Sequence, residues 1–74
     1  MTSEEWSTIK IEIGRRVRQE REAMRLSLHE LSARARIPVA TLQRIERGTT
    51  SASLRQVYQL GDALGCAATE LMDR

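Results

Sequence analysis

The 74-residue sequence has few of the residues that cross-link or activate small proteins. Cys66 is its only cysteine, so neither an intrachain disulfide nor a cysteine-based metal cluster can form. The chain begins Met-Thr-Ser-Glu-Glu, without the basic start and apolar run of a signal peptide, and no apolar segment approaches the length that spans a membrane. We therefore expect a soluble protein in a reducing, cytoplasmic setting, with no metal and no other cofactor.

Residues that commonly carry catalysis are equally scarce. His29 is the only histidine, and we expect it to face solvent early in a helix. Cys66 lies among apolar neighbours, where core packing is a better explanation than a role as nucleophile. The sequence contains neither a carboxylate cluster nor a glycine-rich phosphate loop. These absences argue against an enzyme.

The net charge of +2 hides an uneven distribution along the chain. Residues 14–55 contain ten arginines and four glutamates, a net charge of +6, whereas residues 1–13 and 56–74 each carry −2. A basic middle segment of this kind attracts polyanions. Composition alone leaves solvated helix faces as an equally good explanation.

Two capping boxes, each a hydroxyl residue followed three positions later by glutamate, indicate helix starts at Thr2–Glu5 and at Ser27–Glu30. After the first box, an apolar stripe at helical spacing predicts a helix from about residue 4 or 8 to 24; its members are Ile9, Ile13, Val17 and Met24. Gly14 interrupts this helix, and we expect it to serve close packing with another element. The second box predicts a helix from Leu28 to about Ala35.

The segment Arg36–Gly48 follows after a tight turn. Apolar residues at 37, 42 and 45 recur near the helical period, while Val39, Ala40, Gln43 and Arg44 fall on a different face. Pro38 is typical of a helix start and Gly48 of a helix end. The segment is thus predicted to be a short helix whose free face carries an amide and a guanidinium. These groups are well shaped to contact bases in a DNA major groove.

The rest of the chain predicts two more helices, Leu54–Leu64 closed by Gly65 and a short one at Ala68–Met72. No strand pattern and no repeat is present. The expected fold is all-α and compact, with five helices and a helix-turn-helix at about 28–47. Residues 1–12 form an extension that continues into the first helix, and residues 13–72 form the domain. The expected core consists of Ile13, Val17, Leu26, Leu31, Ile37, Leu42, Ile45, Leu54, Val57, Leu60, Leu64 and Leu71.

The ordered set of motifs resembles the lambda-repressor/Cro-like helix-turn-helix family, often called XRE-like regulators. The resemblance rests on Ile13-Gly14…Val17-Arg18…Arg21, Leu26-Ser27…Glu30-Leu31, Ile37…Thr41-Leu42…Arg44-Ile45-Glu46-Arg47-Gly48, and Leu54…Leu60…Ala63-Leu64-Gly65…Glu70-Leu71. It covers about four fifths of the chain in one register.

The resemblance implies a sequence-specific, double-stranded DNA-binding transcriptional regulator that acts as a homodimer on a palindromic site. Helix 39–47 would be the recognition helix, with base contacts from Val39, Ala40, Gln43 and Arg44. Gln43 could pair with adenine and Arg44 with guanine, while the two apolar residues could meet thymine methyl groups. The alternative for these four residues is an exposed face without a ligand.

The resemblance also implies a structural ion pair and a set of phosphate contacts. Arg21 and Glu46 match a pair that joins helix one to the end of the recognition helix; two unrelated surface charges are the alternative. Phosphate contacts are expected from hydroxyl groups, backbone N–H groups and arginines, because the loop after Gly48 lacks the lysine or arginine common in the family. The side chains are Arg15, Arg16, Arg34, Arg36, Thr41, Arg47, Thr49, Thr50, Ser51, Ser53 and Arg55.

Three departures from the family pattern carry structural expectations. Arg36 replaces a glycine that often provides a left-handed turn. Ser32 replaces a common alanine, which is acceptable if its hydroxyl bonds to a carbonyl one turn back. Leu28 stands where a glutamine often contacts phosphate, so that contact is expected to be lost.

The main alternative function is that of an antitoxin or other protein-interaction module on the same fold, with a toxin protein as partner. A chain this short leaves no room for a separate toxin-binding or ligand-sensing domain, which favours a repressor or a restriction-modification controller. Dimer contacts are expected at the C-terminus, with Trp6 as a less favoured candidate. The C-terminal residues are Ala67, Ala68, Leu71 and Met72.

Overall fold

Five helices form the part of the chain that the computed structural model describes, residues 2–72. They are α1 (Ser3–Ala23), α2 (Leu28–Ala35), α3 (Val39–Arg47), α4 (Leu54–Leu64) and α5 (Ala68–Met72). No strand occurs in these residues, so the predicted all-α fold and its five helices are confirmed. None of the helices described is both long and apolar enough to cross a membrane.

Helix starts follow the local capping chemistry. Thr2, Ser27 and Ser53 each accept a hydrogen bond from the backbone N–H three residues on, and each box is closed by a Glu or Gln side chain. At α2, the Ser27 backbone N–H donates a hydrogen bond to the Glu30 carboxylate, and this bond is the main cause that lowers the pKa of Glu30. A hydrogen bond from the Ser27 hydroxyl lowers the pKa further. Only α3 among the four longer helices begins without a side-chain cap, at Pro38.

The core is apolar, and none of the buried residues described is polar or charged. Of the twelve core residues expected from the sequence, ten are buried, and Ile13 is partly buried against them. The prediction was wrong for Leu54, which is 63% exposed because the first turn of α4 lies at the edge of the core. Met24 was also wrongly placed on the buried stripe: it caps the C-terminus of α1 and is exposed.

Helix α1 packs mainly against α3, and Gly14 makes this possible. A Cβ atom added at Gly14 would lie only 2.1 Å from the carbonyl oxygen of Ile45 and 3.0 Å from that of Glu46. The close packing expected of Gly14 is therefore confirmed. Helix α5 packs against both α1 and α4, and it closes the core with Ala68 and Leu71.

Candidate nucleic-acid interface

The recognition helix predicted from the sequence, α3, is attached to the domain by one face. Leu42 and Ile45 are fully buried, whereas Ala40 and Arg44 are exposed and Gln43 is half-buried. Val39, at the start of the helix, is also half-buried. The four residues predicted to contact bases therefore share the outer side of α3. The amide and the guanidinium belong to consecutive residues, Gln43 and Arg44.

A forked ion pair joins α3 to α1. The Nε and Nη2 atoms of Arg21 donate to the two carboxylate oxygens of Glu46, at 2.7 and 3.0 Å, and Nη1 donates to the Leu26 carbonyl at 2.9 Å. Only 13% of the Arg21 side chain and 6% of the Glu46 side chain are exposed. The hydrogen bond to Glu46 raises the pKa of Arg21 above its usual value. One guanidinium thus fixes α3, α1 and the link after α1 relative to one another.

The turn between α2 and α3 is held at both ends. Arg36 adopts the left-handed conformation with φ of 58°, which a glycine would adopt with less strain. The Ile37 backbone N–H donates to the Ser32 carbonyl, and the Ser32 hydroxyl donates to the Ile37 carbonyl. The sequence predicted a hydrogen bond from the Ser32 hydroxyl to a carbonyl one turn back, and this prediction was wrong. The turn brings the Ile37 carbonyl within reach, so the Ser32 hydroxyl donates to that carbonyl, five residues further along the chain.

Substituting Ser32 by alanine is expected to lower the free energy of unfolding by about 1–3 kcal/mol, because the partly buried Ile37 carbonyl loses its donor. Urea denaturation of Ser32→Ala and of Ser7→Ala, an exposed serine of α1, would measure the difference. Equal midpoints for the two variants would show that the bond does not stabilise the turn.

A polar cleft opens beside the ion pair, between α1 and the outer side of α3. Its lining includes three guanidinium groups, from Arg18, Arg21 and Arg47, together with Gln43 and the apolar side chain of Leu28. Arg18 was not predicted from the sequence as a candidate contact. Its spacing of three residues from Arg21 on α1 was the available signal, since such residues are neighbours on a helix surface.

The residues predicted to contact phosphate occupy varied positions. Those with exposed side chains are Arg15, Arg34, Arg36, Arg47, Thr49, Ser51, Ser53 and Arg55, while Thr41 and Thr50 are half-buried. Arg15 is paired with Glu12 at 2.9 Å, the Thr49 hydroxyl donates to the Arg44 carbonyl, and the Ser53 hydroxyl caps α4.

Arg16 is directed toward the C-terminal helix. It is half-buried, and its Nη1 atom donates to the Glu70 carbonyl of α5 at 3.2 Å. Its Nε atom is buried without a hydrogen-bond partner. In this conformation the guanidinium holds α5 on α1, so Arg16 is poorly placed for the phosphate contact predicted from the sequence.

Only some of the residues predicted to form the dimer contact are accessible to a second copy, because the others are buried within the chain. Ala68 is 7% exposed and Leu71 1% exposed, since both pack in the core, so they offer almost no surface to a second copy. Ala67 and Met72 remain exposed.

Among residues 2–72, no group of three or more histidine, cysteine, aspartate or glutamate side chains could hold a metal ion.

Comparison with known proteins agrees with this geometry. The model of the helix-turn-helix family HTH_3 matches residues 17–71, which contain α2, α3 and α4 and most of α5. The chain belongs to this family. The predicted lambda-repressor-like family is thereby confirmed, and with it the class of protein, a DNA-binding helix-turn-helix transcription regulator. No curated protein sequence matches the chain.

Solved structures of other helix-turn-helix regulators are similar to the chain. The restriction-modification controller protein C.AhdI from Aeromonas hydrophila is 29% identical with a TM-score of 0.81, and the match covers 84% of this chain and 94% of that one. In a SinR/SinI protein complex, the matched chain is 30% identical with a TM-score of 0.80, covering 84% and 61%. The competence regulator ComR from Streptococcus vestibularis is 34% identical with a TM-score of 0.82, covering 89% of this chain but only 22% of ComR.

Proposed function

We propose that the chain is a sequence-specific transcriptional regulator, of the repressor or controller type, that binds a palindromic DNA site as a homodimer and contacts the major groove with α3. Residues 13–72 would be the DNA-binding domain, with residues 1–12 as an extension of α1. The near full-length similarity to a restriction-modification controller favours the controller type.

The observation that carries this proposal is the one-sided attachment of α3. Its inner face is buried and its angle is fixed by the Arg21–Glu46 pair, while its outer face presents Gln43 and Arg44. An amide can pair bidentately with adenine and a guanidinium with guanine, each contributing about 1–3 kcal/mol to discrimination. Val39 and Ala40 are apolar and small enough to contact thymine methyl groups.

We expect two copies to bind together, because each α3 has few side chains that can contact bases. A single α3 spans about half a turn of DNA and offers only two side chains that can hydrogen-bond bases. Two copies related by a two-fold axis would contact half-sites one helical turn apart, which raises affinity and specificity together.

Phosphate contacts would come from exposed arginines, hydroxyl groups and backbone N–H groups around α3. The net charge of +6 over residues 14–55 supplies the attraction to DNA. After Gly48, the loop between α3 and α4 contains only hydroxyl residues and Ala52, so we expect a shallower salt dependence of binding than in a lysine-rich relative.

Selection of bound sequences from a random DNA pool tests the proposal directly. The expected result is an inverted repeat whose half-sites lie about 10 base pairs apart, centre to centre. Enrichment of no sequence, or of one without two-fold symmetry, would contradict it.

Alanine substitution of Gln43 and of Arg44 should each relax specificity at one base pair of the half-site. The expected loss is about 1–3 kcal/mol against the preferred base, because each removes one bidentate contact. Binding titrations on the selected site and on single-base variants would measure the loss.

Arg34→Ala provides the matched control, because Arg34 is an exposed arginine that we assign to phosphate. It should weaken binding to all sequences equally and reduce the slope of binding against salt by about one. If Arg44→Ala kept the base preference of the native chain, Arg44 would not be a base-contacting residue.

The alternative is a protein-interaction module, such as an antitoxin, on the same fold. The structure of SinR with SinI shows a protein of this fold in a complex with another protein. Footprinting on the protein's own promoter separates the two functions. A protected palindrome supports the regulator, while co-purification of a small toxin without protection supports the alternative.

A further inference from the structure

Two exposed guanidinium groups line the polar cleft between α1 and α3, and they come from different helices. Arg18 belongs to α1, and Arg47 is the last residue of α3. The cleft has a volume of about 180 Å³, well above the roughly 10–15 Å³ that one water molecule needs. It therefore has room for a small polyatomic anion between the two helices.

Pairing within the cleft leaves its remaining charge positive. Arg21 and Glu46 also line it, but the forked ion pair joins them, so their charges cancel. The other two lining residues described above are uncharged, which leaves the charges of Arg18 and Arg47. An anion in the cleft would therefore meet two cations and no unpaired carboxylate among the lining residues.

Both guanidinium groups have donors available. The side chain of Arg47 makes no hydrogen bond or ion pair with any other residue from 2 to 72. Arg18 donates from Nε to the Glu22 carboxylate at 3.3 Å, longer than the roughly 2.7–2.9 Å of a strong charge-assisted bond. The two side chains of this pair are 63% and 55% exposed, and exposed pairs of this kind contribute little stability. Arg18 can therefore exchange Glu22 for a better acceptor.

We propose that Arg18 and Arg47 bind one phosphate group in this cleft, and that Glu22 competes with the phosphate for Arg18. The inference rests on the proposed function and adds to it a binding residue and a carboxylate that opposes binding. On DNA the group would be a backbone phosphate next to the base contact of Gln43, which lines the same cleft. A free phosphate has the same chemistry, and in this cleft it would compete with DNA.

The geometry of a phosphate suits two guanidinium groups on different helices. A guanidinium fork donates two parallel hydrogen bonds to an oxyanion. The carboxylate of Glu46 presents both of its oxygens to a single fork, that of Arg21. The oxygens of a phosphate diverge tetrahedrally, so each helix can donate to a different one. One phosphate would thus bridge α1 and α3 from the solvent side.

Titration of a DNA duplex over a range of KCl concentrations tests binding to the DNA backbone. A phosphate contact carries no sequence information, so a duplex of any sequence serves. Arg18→Gln should reduce the slope of log affinity against log salt by about 0.9, which amounts to about eightfold weaker binding at about 0.1 M salt. Arg18→Lys keeps the charge and should keep the slope. An unchanged slope in Arg18→Gln would exclude DNA as the source of the phosphate.

Glu22→Gln should tighten DNA binding about two- to fivefold, because Arg18 no longer has to leave a carboxylate. Glu20→Gln is the matched control, since Glu20 is an exposed glutamate of the same helix and the change in net charge is equal. The gain should disappear in the Arg18→Gln background, where no guanidinium is left to compete for. An equal gain from Glu20→Gln, or a gain that survives in that background, would refute the competition.

Inorganic phosphate added to the free chain separates failure of this inference from failure of the proposed function. The ¹⁵N resonance of the Arg18 side chain, assigned by its loss in Arg18→Gln, should shift with phosphate and not with chloride at equal ionic strength. A shift in a chain that binds no DNA would support the site and contradict the regulator. An effect of Arg18→Gln on DNA binding without a shift would assign the site to the DNA backbone. Neither a shift nor an effect, in a chain that still selects a DNA sequence, would overturn the inference and leave the regulator intact.

Discussion

Substituting Gly14 by alanine is expected to lower the free energy of unfolding by about 3 kcal/mol or more, the upper end of overpacking effects. In an exposed helix the same change would stabilise by about 1 kcal/mol, because alanine is the better helix former. Here the new Cβ would lie 2.1 Å from the Ile45 carbonyl oxygen. That oxygen belongs to the backbone of α3 and cannot rotate away, so α1 and α3 would have to move apart.

Urea denaturation of native chain and Gly14→Ala would measure this loss. Gly65→Ala is the matched control: Gly65 has φ of 71° but no atom within 4 Å of the added Cβ, so only backbone strain of about 1–2 kcal/mol is expected. A Gly14→Ala variant as stable as the native chain would mean that α1 and α3 do not approach as closely as described.

Glu46→Ala is expected to lower the free energy of unfolding by about 3–5 kcal/mol, because it leaves the Arg21 guanidinium mostly buried without its carboxylate. Only the bond from Nη1 to the Leu26 carbonyl would remain. Thermal stability and DNA affinity should fall together, since the pair also fixes the angle of α3. Unchanged stability would show that the pair contributes nothing to the fold.

A double variant separates stability from orientation. Replacing both partners by apolar residues, as in Arg21→Met with Glu46→Leu, removes the buried charges together and should restore much of the stability lost in Glu46→Ala. DNA affinity should stay low, because apolar side chains cannot impose the forked geometry on α3. Full recovery of DNA affinity in this variant would show that packing alone orients α3.

Helix boundaries could be predicted from the sequence because they depend on local chemistry. The hydroxyl residues Ser27 and Ser53 fix the starts of α2 and α4, and Gly48 and Gly65 end α3 and α4 in the left-handed conformation. The exposure of Leu54 could not be predicted in this way, because its spacing fits the buried stripe of α4. Whether the first turn of a helix reaches the core depends on how far its neighbours extend.

Side chains that cross between elements were harder to predict. The Ser32 hydroxyl bonds to Ile37 because of the shape of the turn, and a helix-based rule pointed to the wrong carbonyl. Arg16 points toward α5 because the Glu70 carbonyl lies near it in the folded chain. The pattern of charges along the sequence carries no information about that distance. An apolar depression on the surface likewise brings together Trp6, Leu54 and Met72, which are distant in sequence.

The start of α3 sets it apart from the other long helices. It lacks the side-chain cap that α1, α2 and α4 possess, and its nine residues fall short of the roughly 12–15 at which isolated helices become marginally stable in water. It is therefore a helix only while the domain around it is folded. Warming or a weakening substitution anywhere in the core would unfold α3 along with the rest of the domain, so destabilised variants should lose DNA binding at a lower temperature than the native chain.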